Sequence, residues 1–287
     1  MEHFAGKVAV ITGAASGFGR AFAQLGATLG LKLVLADVDT HALNEAVDTL
    51  RAQGAEVIGV PTDVSSGDAV EMLARRALDQ FGQVHLLFNN AGVGVGGFLW
   101  ESSAKDWAWV FGVNVMGVAN GVRVFTPIML RQGVPAHIVN TASVAGLLSA
   151  PSMGVYNASK HAVVSLTETL YHDLRRAGDL VGCSLLCPAF VPTGIADAER
   201  TRPAGFSNDA PLTSSQVLAG KQLGKAVRAG KLSADDVATL TFEAIRERRF
   251  YVVTHPHIME SVRLRHEDIE QLRAPTDPYS LKPEVHT

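Results

Sequence analysis

The 287-residue sequence predicts an α/β fold, a single doubly wound parallel sheet of about seven strands with helices on both faces, and three observations carry that expectation. Seven short runs are apolar and β-branched without polar alternation, as a strand covered on both faces must be. Helical stretches separate the runs, and a βαβα order implies right-handed crossovers that wind the sheet outward in both directions. Hydrophobic residues make up 47% of the chain and charged residues 18%, enough to build a core between the layers. Length alone allows one domain or two. With no internal repeat and no linker-like stretch, the alternation reads as one domain over 1–287.

The strands are expected at KVAVIT (7–12), LKLVLA (31–36), AEVIGV (55–60), VHLLFN (84–89), AHIVNT (136–141), VGCSLL (181–186) and RFYVVT (249–254). Helices are expected at 18–30, 41–53, 67–81, 104–131, 155–177 and 234–247. The segment 188–233, rich in Pro, Gly, Ser and Thr, reads as a long irregular lid with a short helix around 214–228. The tail, 255–287, carries several prolines and no clear periodicity.

A formal net charge of −3 with scattered basic residues argues against nucleic acid as a partner and for a small molecule. Cys183 and Cys187 lack a CxxC or His cluster, so neither a disulfide framework nor a metal site is expected. The N-terminal residues run straight into a strand pattern without a signal peptide, and no run approaches the ~20 apolar residues of a membrane span. A cytoplasmic protein with no membrane association is the expectation.

In an open parallel sheet, ligands gather beyond the carboxyl ends of the strands. The first strand ends in Thr12-Gly13-Ala14-Ala15-Ser16-Gly17-Phe18-Gly19 and runs directly into a helix. Glycines there let backbone approach an anion, and free N–H groups at the helix start point at its charge. The spacing G-x-x-x-G-x-G departs from the general dinucleotide fingerprint, but the strand-turn-helix context is the one a pyrophosphate needs. Asp37 closes the second strand where a carboxylate can take ribose hydroxyls and repel a 2′-phosphate. Neither Val38, Asp39 nor Ser16 offers a cation, so NAD is expected over NADP.

A second cluster runs from Ser143 to Lys160. Tyr156 and Lys160 are spaced i, i+4 on an expected helix and project from one face. A phenol is a poor base near neutrality, and an adjacent ammonium and the positive nicotinamide ring lower its pKa, which would let Tyr156 exchange a proton with a substrate oxygen. Ser143, just past a strand, can polarise the same oxygen. Asn114 is a poor helix former among Val113, Val115 and Met116, and holding a water near Lys160 would account for it.

With these residues in view, the sequence resembles the classical short-chain dehydrogenase/reductase family from about Lys7 to Thr254. The family's TGxxxGxG turn is Thr12 to Gly19, its adenine-contacting Asp is Asp63 followed by Val64, and its NNAG element is Asn89-Asn90-Ala91-Gly92. Its Asn-Ser-Tyr-Lys tetrad maps onto Asn114, Ser143, Tyr156 and Lys160, and its Pro-Gly element departs slightly as Pro188-Ala189, with Thr193 at the carboxamide-contacting position. The resemblance implies a single Rossmann-fold domain and an NAD(P)-dependent alcohol dehydrogenase or ketoreductase. Contacts to the cofactor would come from Gly13, Ser16, Gly17, Phe18, Gly19, Asp37, Val38, Asp63, Val64, Asn90, Ala91, Gly92, Pro188, Val191 and Thr193, with Tyr156 and Lys160. It also implies a homotetramer or dimer paired through the helices 104–131 and 155–177.

The substrate, an alcohol or ketone, would meet Ser143, Tyr156 and the apolar residues Val95, Val144, Ala145, Phe190 and Ile195, with Phe206 on the lid, which favours a hydrophobic molecule. Arg200 and Arg202 weaken that inference, since a lid arginine can meet a carboxylate. His161 points about a third of a turn away from the reactive face. His255 and His257 lack a third metal ligand nearby in sequence, and Trp100, Trp107 and Trp109 read as packing residues. The competing reading is a dinucleotide-binding sensor or scaffold of the same fold without turnover.

Overall fold

The computed structural model describes residues 3–281; the final six residues of the expected tail lie outside them. Seven parallel strands form one sheet in the order β3-β2-β1-β4-β5-β6-β7. They span Val8–Thr12 (β1), Lys32–Asp37 (β2), Val57–Pro61 (β3), Leu86–Asn89 (β4), Ala136–Thr141 (β5), Val181–Cys187 (β6) and Tyr251–Val253 (β7). The helices are Gly17–Thr28 (α1), Thr40–Ala52 (α2), Gly67–Phe81 (α3), Ala104–Phe111 (α4), Gly117–Gln132 (α5), Gly154–Arg176 (α6), Ser214–Arg228 (α7), Ala234–Glu247 (α8) and Met259–Glu270 (α9).

Strand hydrophobicity is two-sided because alternate residues feed two cores. Ala9 and Ile11 of β1, Leu33 and Leu35 of β2, and Leu86 and Phe88 of β4 pack toward Phe22 of α1 and Phe242 of α8. Val8, Val10, Val34, Ala36 and Leu87 pack the opposite way, toward α3 and toward Phe125 and Met129 of α5. Phe88 joins the first core as a ladder, with ring centroids 4.9 Å from Phe22 and 5.6 Å from Phe242. Successive strands are added on one side of β1 up to β3 and on its other side from β4 onward, and this switch between β1 and β4 opens a crevice at their carboxyl ends.

The expected helix 104–131 is interrupted. Between α4 and α5 the backbone widens into a π-turn, Gly112–Met116, that carries Asn114. Such widenings cluster at functional positions because they re-aim one side chain without ending the helix. The stretch Ala104–Gln132 has the length and apolar content to cross a membrane, yet Val110, Val118, Phe125 and Met129 are core residues of the sheet packing. The tail contributes α9, which the sequence pattern had left unassigned.

The lid leaves β6 at Pro188, forms 3-10 turns at Gly194–Thr201 and Ala204–Phe206, and ends in α7. A capping box between Thr213 and Gln216 fixes the start of α7.

Candidate active site

Thr12 organises the crevice. Its hydroxyl donates to the Phe88 carbonyl (3.2 Å) and accepts from the backbone N–H groups of Asn90 (2.9 Å) and Ala91 (3.2 Å), pinning β1 to β4. The Asn90 amide donates to the Thr12 carbonyl (3.1 Å). Sequence reading named Thr12 as part of a motif but missed this role, because its partners lie over seventy residues away.

The glycine turn is shaped for close backbone approach. Gly13 and Gly17 have φ of +63° and +51°, and a Cβ on Gly19 would sit 2.0 Å from the Gly13 carbonyl oxygen. Ser16 is the N-cap of α1, yet its side chain makes no capping hydrogen bond, so the first N–H groups of the helix are left to a ligand. This combination fits the pyrophosphate of a dinucleotide.

At the end of β2, Asp37 accepts from the backbone N–H of Ala15 (3.0 Å) and of Asp39 (3.0 Å). The carboxylate is thereby fixed beside the glycine turn, and Val38 is half exposed next to it. Asp63 accepts from the Ser65 backbone N–H (2.9 Å) and hydroxyl (2.7 Å), closing the turn after β3, while Val64 is buried against Gly117. Gly92 stands beside Asn114 Oδ1 and Lys160 Nζ, each 3.5 Å from where its Cβ would be. Val191 is 2% exposed and packs into the core, so its side chain has no free surface to offer a ligand. Phe18 is likewise partly committed to that core. Thr193 packs over Gly17, 3.3 Å from its Cβ position.

The structure brings Ser143, Tyr156 and Lys160 together at the carboxyl edge of β5. Lys160 Nζ lies 5.6 Å from the Tyr156 ring centroid and donates to the Thr141 carbonyl at 3.0 Å. Gly94 lies against the tyrosine, its Cβ position 3.3 Å from a ring carbon, so a side chain there would press on the ring. The Ser143 hydroxyl donates to the Pro188 carbonyl (3.2 Å) and accepts from the Ala145 N–H (3.1 Å), so polarising a substrate oxygen requires a turn about its own C–O bond.

The electrostatics correct one expectation. In the protein alone the phenol is not acidified: burial pushes Tyr156 up to about 12, with the Ser143 hydroxyl pulling the other way. Burial also pushes Lys160 down to about 8, against the opposing effect of Cys187. Desolvation penalises both charged forms and is the largest influence on each group.

Asn114 is fully buried, and its amide is largely spent on the fold. It accepts from the Val93 N–H (2.8 Å) and donates to the Val93 carbonyl (2.9 Å) and Ser159 Oγ (3.0 Å). One lone pair remains for the expected water, so the contact that dominates is a clamp between the π-turn, the loop after β4 and α6. Ser159, which donates to the Tyr156 carbonyl (2.8 Å), is a second residue that sequence reading passed over.

On the substrate side, Val95 and Phe206 join a small cluster around Trp109 and Val155, while Val144, Ala145 and Ile195 are half-buried and Phe190 is exposed. The lid arginines do not point free charge at this region. Arg202 is buried, donating to Asp106 (2.6 Å), Glu199 (3.0 Å) and the Phe206 carbonyl (2.9 Å), with its guanidinium 4.8 Å from the Trp109 ring centroid. Arg200 pairs with Asp39. His161 bonds the Asn157 carbonyl (2.9 Å), and Trp100 stacks on Phe98 at the surface. Among the described residues no group of His, Cys, Asp and Glu could hold a metal ion.

The model of a family described as short chain dehydrogenase matches residues 7–204. A CLA biosynthesis dehydrogenase/reductase from Lactiplantibacillus plantarum is 38% identical over 89% of this chain and 90% of that protein. A 1-deoxy-11-beta-hydroxypentalenate dehydrogenase from Streptomyces exfoliatus is 35% identical over 93% of this chain and 90% of that protein. A crystal structure of a short chain dehydrogenase/reductase from Burkholderia phymatum in complex with NAD is 76% identical, with a TM-score of 0.96 over 98% of this chain and all of that one.

Proposed function

The chain belongs to the short-chain dehydrogenase family of oxidoreductases, and from that premise we propose that it interconverts a secondary alcohol and a ketone on a mainly hydrophobic small molecule, with NAD preferred to NADP. The observation that carries the proposal is the pairing of Tyr156 with Lys160 Nζ, 5.6 Å from its ring, beside Ser143. A bound nicotinamide supplies or accepts the hydride.

The chain's own groups manage binding and the proton. The glycine turn and the free N–H groups of α1 would hold the pyrophosphate, Asp37 the adenosine ribose, and Lys160, with two protons beyond its Thr141 bond, the second ribose. Tyr156 would deliver a proton to, or take one from, the substrate oxygen, and Ser143 would orient that oxygen. A phenol at about 12 is protonated at neutral pH, the form that donation starts from; nearby positive charge that brings the value down favours both giving up that proton and the phenolate that can accept one.

NAD preference rests on Asp37 and on the NAD complex of the similar Burkholderia protein. An apolar substrate fits the dehydrogenase relatives and the commitment of Arg200 and Arg202 to Asp39 and Asp106, which leaves Val95, Val144, Ala145, Phe190 and Ile195 to set the character of the wall. We also propose a cytoplasmic homo-oligomer, tetramer or dimer, paired through α4–α5 and α6; the location accords with two buried, unbridged cysteines.

NADH absorbance during incubation with a panel of secondary alcohols tests the reaction. Tyr156→Phe should lower turnover on the order of 10²- to 10⁴-fold. NAD binding without turnover of any alcohol or ketone would instead favour the sensor reading.

A further inference from the structure

The lid crosses the crevice from one wall to the other. On the α4 side it is fastened by the buried Arg202–Asp106 pair, by Lys105 Nζ donating to the Ser207 carbonyl (2.7 Å), and by the hydroxyls of Thr213 and Ser215 donating to Glu101. On the opposite side its polar side-chain contact among the described residues is Arg200 with Asp39. Asp39 belongs to the turn that fixes Asp37: its N–H donates to Asp37 Oδ1, and Asp37 Oδ2 accepts from Ala15 of the glycine turn. Bonds therefore run without a break from the phosphate turn through the ribose-selecting carboxylate to the lid, and Thr193 packs over Gly17 beneath that span.

We propose that the Arg200–Asp39 pair is a latch that fastens the lid over the adenosine half of the crevice and sets the rate at which the dinucleotide leaves. The assignment rests on the dinucleotide-binding reading above.

The two fastenings differ in strength, and the difference decides which side opens. Arg202 and Asp106 are 5% and 3% exposed, and breaking a buried pair of this kind costs on the order of a hundredfold or more in an equilibrium. Arg200 and Asp39 are 50% and 24% exposed, so their pair is worth at most about fivefold. The lid should hinge on the α4 side and release on the Asp39 side. Asp39 is suited to the task because its two oxygens divide the work: Oδ1 caps α2 by accepting from the Ala42 N–H (3.1 Å), and Oδ2 takes Arg200. Loss of the latch consequently need not unwind α2.

Stopped-flow dissociation of NADH from the full chain tests this, with Arg200→Gln, Asp39→Asn and the double variant; asparagine at position 39 keeps the helix cap and removes the charge. Each single variant should release NADH about three- to fivefold faster, the double variant no faster than either, and the parent's release should accelerate with salt while the variants' does not. The single-turnover hydride step should be unchanged. Amide hydrogen exchange across 194–201 in the dinucleotide-free protein should quicken by a similar factor. Release and exchange within about 1.5-fold of the parent in both single variants, or additive effects in the double, would overturn the latch alone. A parent that binds no NADH would remove the functional reading and the latch together.

Discussion

Asn114→Ala should be among the most costly single substitutions around the site, and its effect can be worked out from three hydrogen bonds. Removing the amide strands the Val93 N–H, the Val93 carbonyl and Ser159 Oγ in a region where Asn114 itself has no exposure. A net hydrogen bond is worth about 1 kcal/mol, and a buried group left without a partner costs about 1–3 kcal/mol. Ser159 retains its bond to the Tyr156 carbonyl and Val93 lies at the edge of the crevice, so the sum should fall toward the low end, about 3–5 kcal/mol. That is a large fraction of the 5–15 kcal/mol typical of a domain. Urea unfolding at neutral pH measures it as a fall in midpoint at constant slope. Turnover should suffer as well in the fraction that stays folded, because Val93 leads into Gly94, which lies on the Tyr156 ring. Asn120→Ala provides the comparison: its amide donates mainly to the Val64 carbonyl (3.0 Å), so the loss should be nearer 1–2 kcal/mol. A cost under about 1 kcal/mol for Asn114→Ala would refute the clamp, since it would mean that its three partners find replacements without the π-turn.

Two further outcomes follow from the electrostatics. Asp37→Asn should raise the NADP-to-NAD ratio of kcat/KM by one to two powers of ten, the order of a screened like-charge term of about 1–4 kcal/mol; an unchanged ratio in the two-cofactor assay would remove Asp37 as the selector. Burial pushes His137 down to about 3 and His85 down to about 4, both below the ordinary histidine value of 6.5. The unfolded chain takes up these protons first, so stability is complete above about pH 6.5 and is lost as pH falls toward 4 and then 3, by roughly 8 kcal/mol at most for the two together at ~1.4 kcal/mol per unit. Urea midpoints at pH 7 and 4.5 should diverge, and His137→Gln, which preserves a partner for Ser184, should narrow the divergence.

Much of this molecule was legible in one dimension. Strand identity, helix order and the two-sided core follow from periodicities that span only a few residues, so α3 and α8 start and stop where pattern and capping signals predict. The glycine turn, Asp37, Ser143 and the Tyr156–Lys160 spacing were also readable, because each motif is local and the parallel sheet delivers all strand ends to one edge. What the chain could not announce are properties that depend on partners far away along it. The helix 104–131 breaks into a π-turn because Asn114 must meet Val93 and Ser159, 21 and 45 residues distant. Arg200 and Arg202, two positions apart, face different walls of the crevice because Asp39 and Asp106 wait on opposite sides. The ammonium of Lys160 sits near its phenol, as the spacing demands, yet the surrounding burial moves both groups toward neutrality. Hydrophobic pattern fixes which segments fold and which faces they bury; solvent exclusion and long-range pairing, set only when the layers close, decide the charge state of the site and the fastening of its lid.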